Sequence, residues 1–155
     1  MDAVDNADQP SRVLVVDDND QNRELLEAYV QDIPLVTVVS AVDGTDALEA
    51  VTSEHPDLIL LDIMMPKMSG FEVCRRLKSD PATKDIPVIM VTALNEIADH
   101  EKGSESGCDD FLSKPVNRME LVKRVRSLLR IRHLKTQLDR TMTLMKQMPG
   151  EQPSD

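Results

Sequence analysis

A chain of 155 residues with 41% hydrophobic content suits one domain with a genuine core and some tail, and leaves no room for a second catalytic domain. Its formal net charge of −10 argues against a nucleic-acid surface, which should be basic, so no direct nucleic-acid binding is expected. Cys74 and Cys108 show no CxxC pairing and no metal-like spacing to His55, His100 and His133, and no apolar run has targeting or membrane-spanning character; reduced thiols, no zinc site, no membrane and a cytoplasmic location are expected.

In chain order, residues 1–11 form an acidic, polar lead-in expected to be disordered. Val13 to Val16 is a continuous apolar run, the pattern of a strand covered on both faces. Asn22 to Gln31 places Leu25, Leu26, Tyr29 and Val30 at helical spacing, and Pro34 closes the connection. The β-branched run Leu35 to Ala41 predicts a second strand, Asp43-Gly44 a turn, and Thr45 to Glu54 a helix with Ala47, Leu48 and Val51 on one face. Leu58 to Leu61 is the third strand, followed by the MMPKMSG loop, where Lys67 is expected to be solvated, and by a helix over Phe71 to Lys78 with Phe71, Cys74 and Leu77 turned inward. Val88 to Val91 is the fourth strand. Glu96 to Ser106 predicts the weakest helix, with only Ile97 and Ala98 as anchors and Gly103 costing about 1 kcal/mol relative to Ala, so mobility is expected there. Phe111 to Ser113 is a short last strand, and Asn117 with Glu120 three residues on resembles a capping box opening the final helix. Strand and helix alternate five times, which implies a parallel sheet with right-handed crossovers and helices on both faces.

Asp17-Asp18, Asp62, Thr92 and Lys114 each follow one of the apolar runs VLVV, LILL, VIMV and FLS. In an open parallel sheet all of them lie at the carboxyl edge, where such sheets place ligands. Taken singly, each has a plainer reading: an Asp there is usually a turn former or helix cap, Thr92 a β-branched strand residue and Lys114 a surface cation. Taken together, three carboxylates call for a hard, oxygen-seeking cation such as Mg²⁺. A lysine opposite balances an incoming anion, for which phosphoryl is the commonest case. The cluster therefore points to phosphoryl chemistry on an aspartate.

The segments VLVVDDN, PDLILLDIMMPKMSG, IPVIMVTAL and GCDDFLSKP, over roughly residues 12–130, resemble the receiver domains of bacterial two-component response regulators. The resemblance implies a flavodoxin-like, doubly wound five-stranded parallel sheet of order 2-1-3-4-5 with an extended C-terminal helix. It implies that Asp62 is the phosphoacceptor, loaded by a sensor histidine kinase or a histidine phosphotransfer protein. It makes Asp17, Asp18, Asp62 and the main-chain carbonyl of Met64 the Mg²⁺ ligands, and Lys114 the cation that meets Asp62 and then the phosphoryl oxygen. Thr92 and the backbone N–H of Ala93 bind the phosphoryl group, Phe111 is the switch aromatic that moves with Thr92, and Pro115 follows a cis bond. Met64 and Leu94 stand where the family influences the attacking water, and two apolar residues there imply slow dephosphorylation. Two departures are Ser104, where the family carries an apolar residue, and Cys108, where it carries a small one.

Two other readings compete with the signalling one. A small Mg²⁺ phosphohydrolase with an aspartyl nucleophile would use a DxD loop, which Asp18-Asn19-Asp20 supplies, but no cap domain fits the length. A pseudo-receiver scaffold would lack part of the acidic set, and this chain has all of it. The three histidines share no spacing with the cluster and are expected at the surface. From Asn117 to about Met148 neither Gly nor Pro occurs, giving roughly 45 Å of helix at 1.5 Å per residue. After Leu128, the residues Ile131, Leu134, Leu138, Met145 and Met148 keep heptad spacing with Thr141 in the remaining slot, about two and a half heptads. Residues 131–148 are thus either a frayed extension or a signalling helix to a partner or output domain. Homodimerisation strengthened by phosphorylation is the expectation, with residues 149–155 a disordered tail.

Overall fold

The computed structural model describes residues 9–93 and 104–147. Strands β1 (Ser11–Val16), β2 (Val36–Ala41), β3 (Leu58–Asp62), β4 (Val88–Thr92) and β5 (Asp110–Ser113) form one sheet in the order β2-β1-β3-β4-β5, and every pairing is parallel. Helices α1 (Asp20–Gln31), α2 (Gly44–Glu54), α3 (Gly70–Ser79) and the C-terminal α4 (Arg118–Gln147) complete the alternation. The helix expected over 96–106 lies mostly outside the described residues; Ser104 to Ser106 at its end are helical, and Ser104 is exposed.

The two faces of the sheet explain the continuous apolar strands. Successive side chains alternate sides, so Leu14, Val16, Ile59, Leu61, Val88 and Met90 join the core under α2 and α3, while Val13, Val15, Leu58, Leu60, Ile89 and Val91 join the core under α1 and α4. Both β3 and β4 are buried over their whole length. Each helix begins on a side chain that accepts an amide: Asn19 from Asn22, Asp43 from Asp46, Ser69 from Glu72, and Asn117 from Glu120. These caps satisfy N–H groups the first turn cannot bond internally. Glu120 itself turns to Arg124, a pair at 3.1 Å.

Several expectations need correction. Leu25 is 48% exposed, and α1 packs instead through Leu26 and Val30. Val73 joins Cys74 and Leu77 on the inward face of α3, with Phe71 only half-buried. Strand β2 begins at Val36 because Leu35 takes a positive φ of 65°. His55 is exposed, and His100 lies outside the described residues. His133 is not a surface residue: it is 8% exposed, and its Nε2 lies 3.1 Å from the Ser11 hydroxyl. An imidazole reaches the interior at little cost when a polar partner meets it there.

Candidate functional site

The parallel register gathers the polar groups at one edge. Asp62 ends β3 opposite Val91, and Thr92 ends β4 opposite Ser113, one residue short of Lys114. The edge is tied laterally: the Lys114 amide donates to the Thr92 carbonyl at 2.8 Å and the Ile63 amide to the Val91 carbonyl at 3.2 Å. Asp17 follows β1 directly and donates its amide to Ala41 at 3.3 Å. The Lys114-Pro115 bond is cis, as the resemblance implied.

Asp17, Asp18 and Asp62 each offer a carboxylate oxygen, and these atoms lie within 4.8 Å of one another. Asp17 and Asp62 are buried, at 0% and 4% exposure, while Asp18 faces solvent. The Lys114 ammonium stands 3.4 Å from Asp17 Oδ2 and 3.3 Å from Asp62 Oδ1. Burial pushes the Asp62 carboxyl up to about 6, the neighbouring Asp17 adds to the rise, and Lys114 and the Met64 amide oppose it. One ammonium thus fails to compensate the buried carboxylates. Hard oxygen donors, closely spaced and short of positive charge, fit a divalent cation of the Mg²⁺ type.

Thr92 is 1% exposed and Ala93 beside it is exposed, both at the same edge. Met64 stands at the rim with its side chain outward, and Leu94 lies outside the described residues. Phe111 is set back from the edge: it pairs with Met90 in β4 and lies half-buried against the α2–α3 core. Lys67 is exposed, as expected, at φ 70°. Cys74 and Cys108 are free; burial and then Cys74 push the Cys108 thiol up to about 12.

Three supporting residues escaped the sequence reading. Arg23 donates to the Asp17 carbonyl at 3.0 Å while paired with Asp20 and Glu27, so it steadies the acidic loop from α1. Asn19 caps α1 and sends its amide to Asp17 Oδ1 at 2.9 Å, orienting that carboxylate. Gly70 packs so tightly under β3 that a Cβ there would sit 2.4 Å from the Asp62 carbonyl oxygen. The capping motifs could have revealed Asn19; the other two depend on tertiary contact.

The response regulator receiver domain model matches residues 13–126. The chain belongs to that family. Over 122 residues it is 49% identical to response regulator PleD of Caulobacter vibrioides, covering 79% of this chain and 27% of that protein. It is 44% identical over 119 residues to the DNA-binding dual master transcriptional regulator RpaA of Synechocystis sp., covering 77% of this chain and 49% of that one. The receiver domain of a Syntrophus aciditrophicus signal transduction histidine kinase superposes with a TM-score of 0.72 at 33% identity, over 77% of this chain and 89% of that chain. The receiver therefore spans a quarter to a half of these curated relatives.

Proposed function

We propose that this receiver takes a phosphoryl group from a phosphohistidine of a sensor histidine kinase or histidine phosphotransfer protein onto Asp62. The supporting observation is the Asp62 carboxylate, buried beside Asp17 and within 3.3 Å of the Lys114 ammonium. In this reading an Asp62 oxygen attacks phosphorus, a P–O bond forms and the donor's N–P bond breaks with its electron pair returning to nitrogen. Lys114 moves its contact from the carboxylate to a phosphoryl oxygen, and the Thr92 hydroxyl and Ala93 N–H bind the others. Asp17, Asp18, Asp62 and the Met64 carbonyl would hold Mg²⁺, which when bound would supply charge neutralisation at the transferring oxygens. Phe111 follows Thr92 and alters the surface read by an effector or output domain.

The receiver unit is taken as residues 12–130, with 131–148 a helical extension through which the chain forms a homodimer. A cytoplasmic location is part of the same proposal; no helix among the described residues is long and apolar enough to cross a membrane. The phosphohydrolase alternative loses ground because Asp20 of the DxD triplet turns to Arg23, 2.7 Å away. Incubation with Mg²⁺ and acetyl phosphate tests the proposal by intact mass. One hydroxylamine-sensitive phosphoryl group per chain is expected, lost in Asp62→Asn; equal labelling of that variant at Asp62-independent sites rejects it, and no labelling of the native chain leaves a scaffold.

A further inference from the structure

Two of the three clustered carboxylates, Asp17 and Asp18, lie on the loop between β1 and α1. Asp17 Oδ1 accepts the Asn19 amide at 2.9 Å, whereas the exposed carboxylate of Asp18 has no hydrogen-bonding partner among the described residues. The direction of Asp18 is therefore set by its backbone, above all by the peptide that joins it to Asp17. The carbonyl of that peptide is the atom Arg23 holds, through Nη1 at 3.0 Å. The same guanidinium puts Nη2 2.7 Å from Asp20 Oδ1 and Nε 3.4 Å from Glu27 Oε1, an oxygen that also accepts the hydroxyl of Ser40 in β2 at 2.7 Å. With its side chain only 14% exposed, one rigid planar fork spans three acceptors and fastens the acidic loop to α1 and, through Glu27, to β2.

We propose that Arg23 is the positioning residue that sets this loop's preference for Mg²⁺ over the larger Ca²⁺, a role that rests on the Mg²⁺ site of the proposed function. Mg²⁺ demands near-ideal octahedral oxygen geometry, whereas Ca²⁺ accepts more oxygens in irregular arrangements. A loop held still favours the more exacting ion, and groups that orient metal ligands are commonly worth about 10- to 100-fold in affinity. Charge alone acts in the opposite direction. A guanidinium beside the carboxylates repels any cation, so if Arg23 acted only by its charge, its removal would strengthen Mg²⁺ and Ca²⁺ binding alike. Positioning and charge therefore differ in sign, and only positioning separates the two ions.

Isothermal titration of the full chain with Mg²⁺ and with Ca²⁺ tests this on the native protein and three variants. Arg23→Lys keeps the charge and loses the fork, Arg23→Met loses both, and Arg23→Met/Asp20→Asn removes the clamp at unchanged net charge. All three should bind Mg²⁺ more weakly, by about tenfold in Arg23→Lys and the double variant, with the ratio of Mg²⁺ to Ca²⁺ affinity lowered by about fivefold. A general loss of stability weakens both ions in proportion and leaves that ratio where it was. A ratio within about twofold of native in Arg23→Lys and the double variant overturns the proposal, as does tighter Mg²⁺ binding by Arg23→Met. If the native chain still binds Mg²⁺ and is labelled by acetyl phosphate, that failure belongs to Arg23 alone. A native chain that binds neither ion removes the metal site itself, and the role of Arg23 with it.

Discussion

Asp17, just past β1, and Asp62, the last residue of β3, are two buried carboxylates that share the ammonium of Lys114 at 3.4 and 3.3 Å. Burial and the neighbouring Asp17 together raise the cost of charge on Asp62. The pair makes the metal-free fold sensitive to pH and gives added cations or altered side chains measurable effects on stability.

Without divalent cations, the Asp62 carboxyl stands at about 6 against 3.8 for the free side chain. Between those values the folded state holds a proton on Asp62 that the unfolded chain has lost, so the contribution of Asp62 to stability falls as pH rises through about 4 to 6 and levels off above. Asp62→Asn should remove that fall and exceed the native chain by about 2 kcal/mol at pH 7.5 in EDTA. Urea denaturation of both proteins across pH checks this; a difference between Asp62→Asn and the native chain that does not grow from pH 4 to 6 in EDTA contradicts the prediction. Saturating Mg²⁺ should reverse the order of the two proteins.

Lys114→Met leaves both buried carboxylates without their cation. With Lys114 23% exposed, the loss in EDTA should be about 1–3 kcal/mol. Mg²⁺ should restore much of it and bind at least as tightly as in the native protein, since a competing positive charge is gone. Labelling by acetyl phosphate should nevertheless drop sharply. Isothermal titration with Mg²⁺, run beside labelling, separates these outcomes.

Gly70→Ala places a methyl against the Asp62 carbonyl and the Ile63 backbone, at 2.4 and 2.9 Å. Backbone cannot swing aside as a side chain does, so a loss of about 1–3 kcal/mol is expected. Because the displaced backbone carries Asp62, slower labelling should accompany the lower melting temperature. Native labelling kinetics with reduced stability would separate packing from site geometry.

Met64 is 63% exposed at the rim of the site and offers no hydrogen-bonding side chain to a water near Asp62. Spontaneous loss of the phosphoryl group should therefore be slow. Met64→Asn together with Leu94→Glu should shorten its lifetime several-fold, read by the decay of the phosphorylated mass after acetyl phosphate is removed. An unchanged or longer lifetime would exclude a water-directing role for these positions.

The strands and the polar edge were legible because continuous apolar runs announce strands covered on both faces and the residue after each run must sit at the edge, whereas the order of the strands came from the family resemblance and not from the runs. Asp62 and Thr92 prove to be the last residues of their strands, a shift of one position that leaves their placement intact. Leu25 misled because periodicity admits two neighbouring residues to a face while the sheet has room for one, Leu26. His133 misled because its polarity suggests solvent, whereas its partner Ser11 is 122 residues away and becomes visible only when β1 and α4 are side by side. Arg23 and Gly70 were hidden for the same reason: each acts through backbone atoms of a different element.

Helix α4 starts beside Lys114 at the carboxyl edge and passes Ser11 and Asp85, which stand at the amino edge, before its heptad run is complete. In the proposed scheme the phosphoryl donor and the second copy therefore approach opposite ends of the body. Occupancy of one end does not obstruct the other, and a paired chain can be reloaded without first separating. Because phosphorylation is expected to strengthen pairing, the lifetime of the phosphoryl group at one end would then govern how firmly the other end holds its copy.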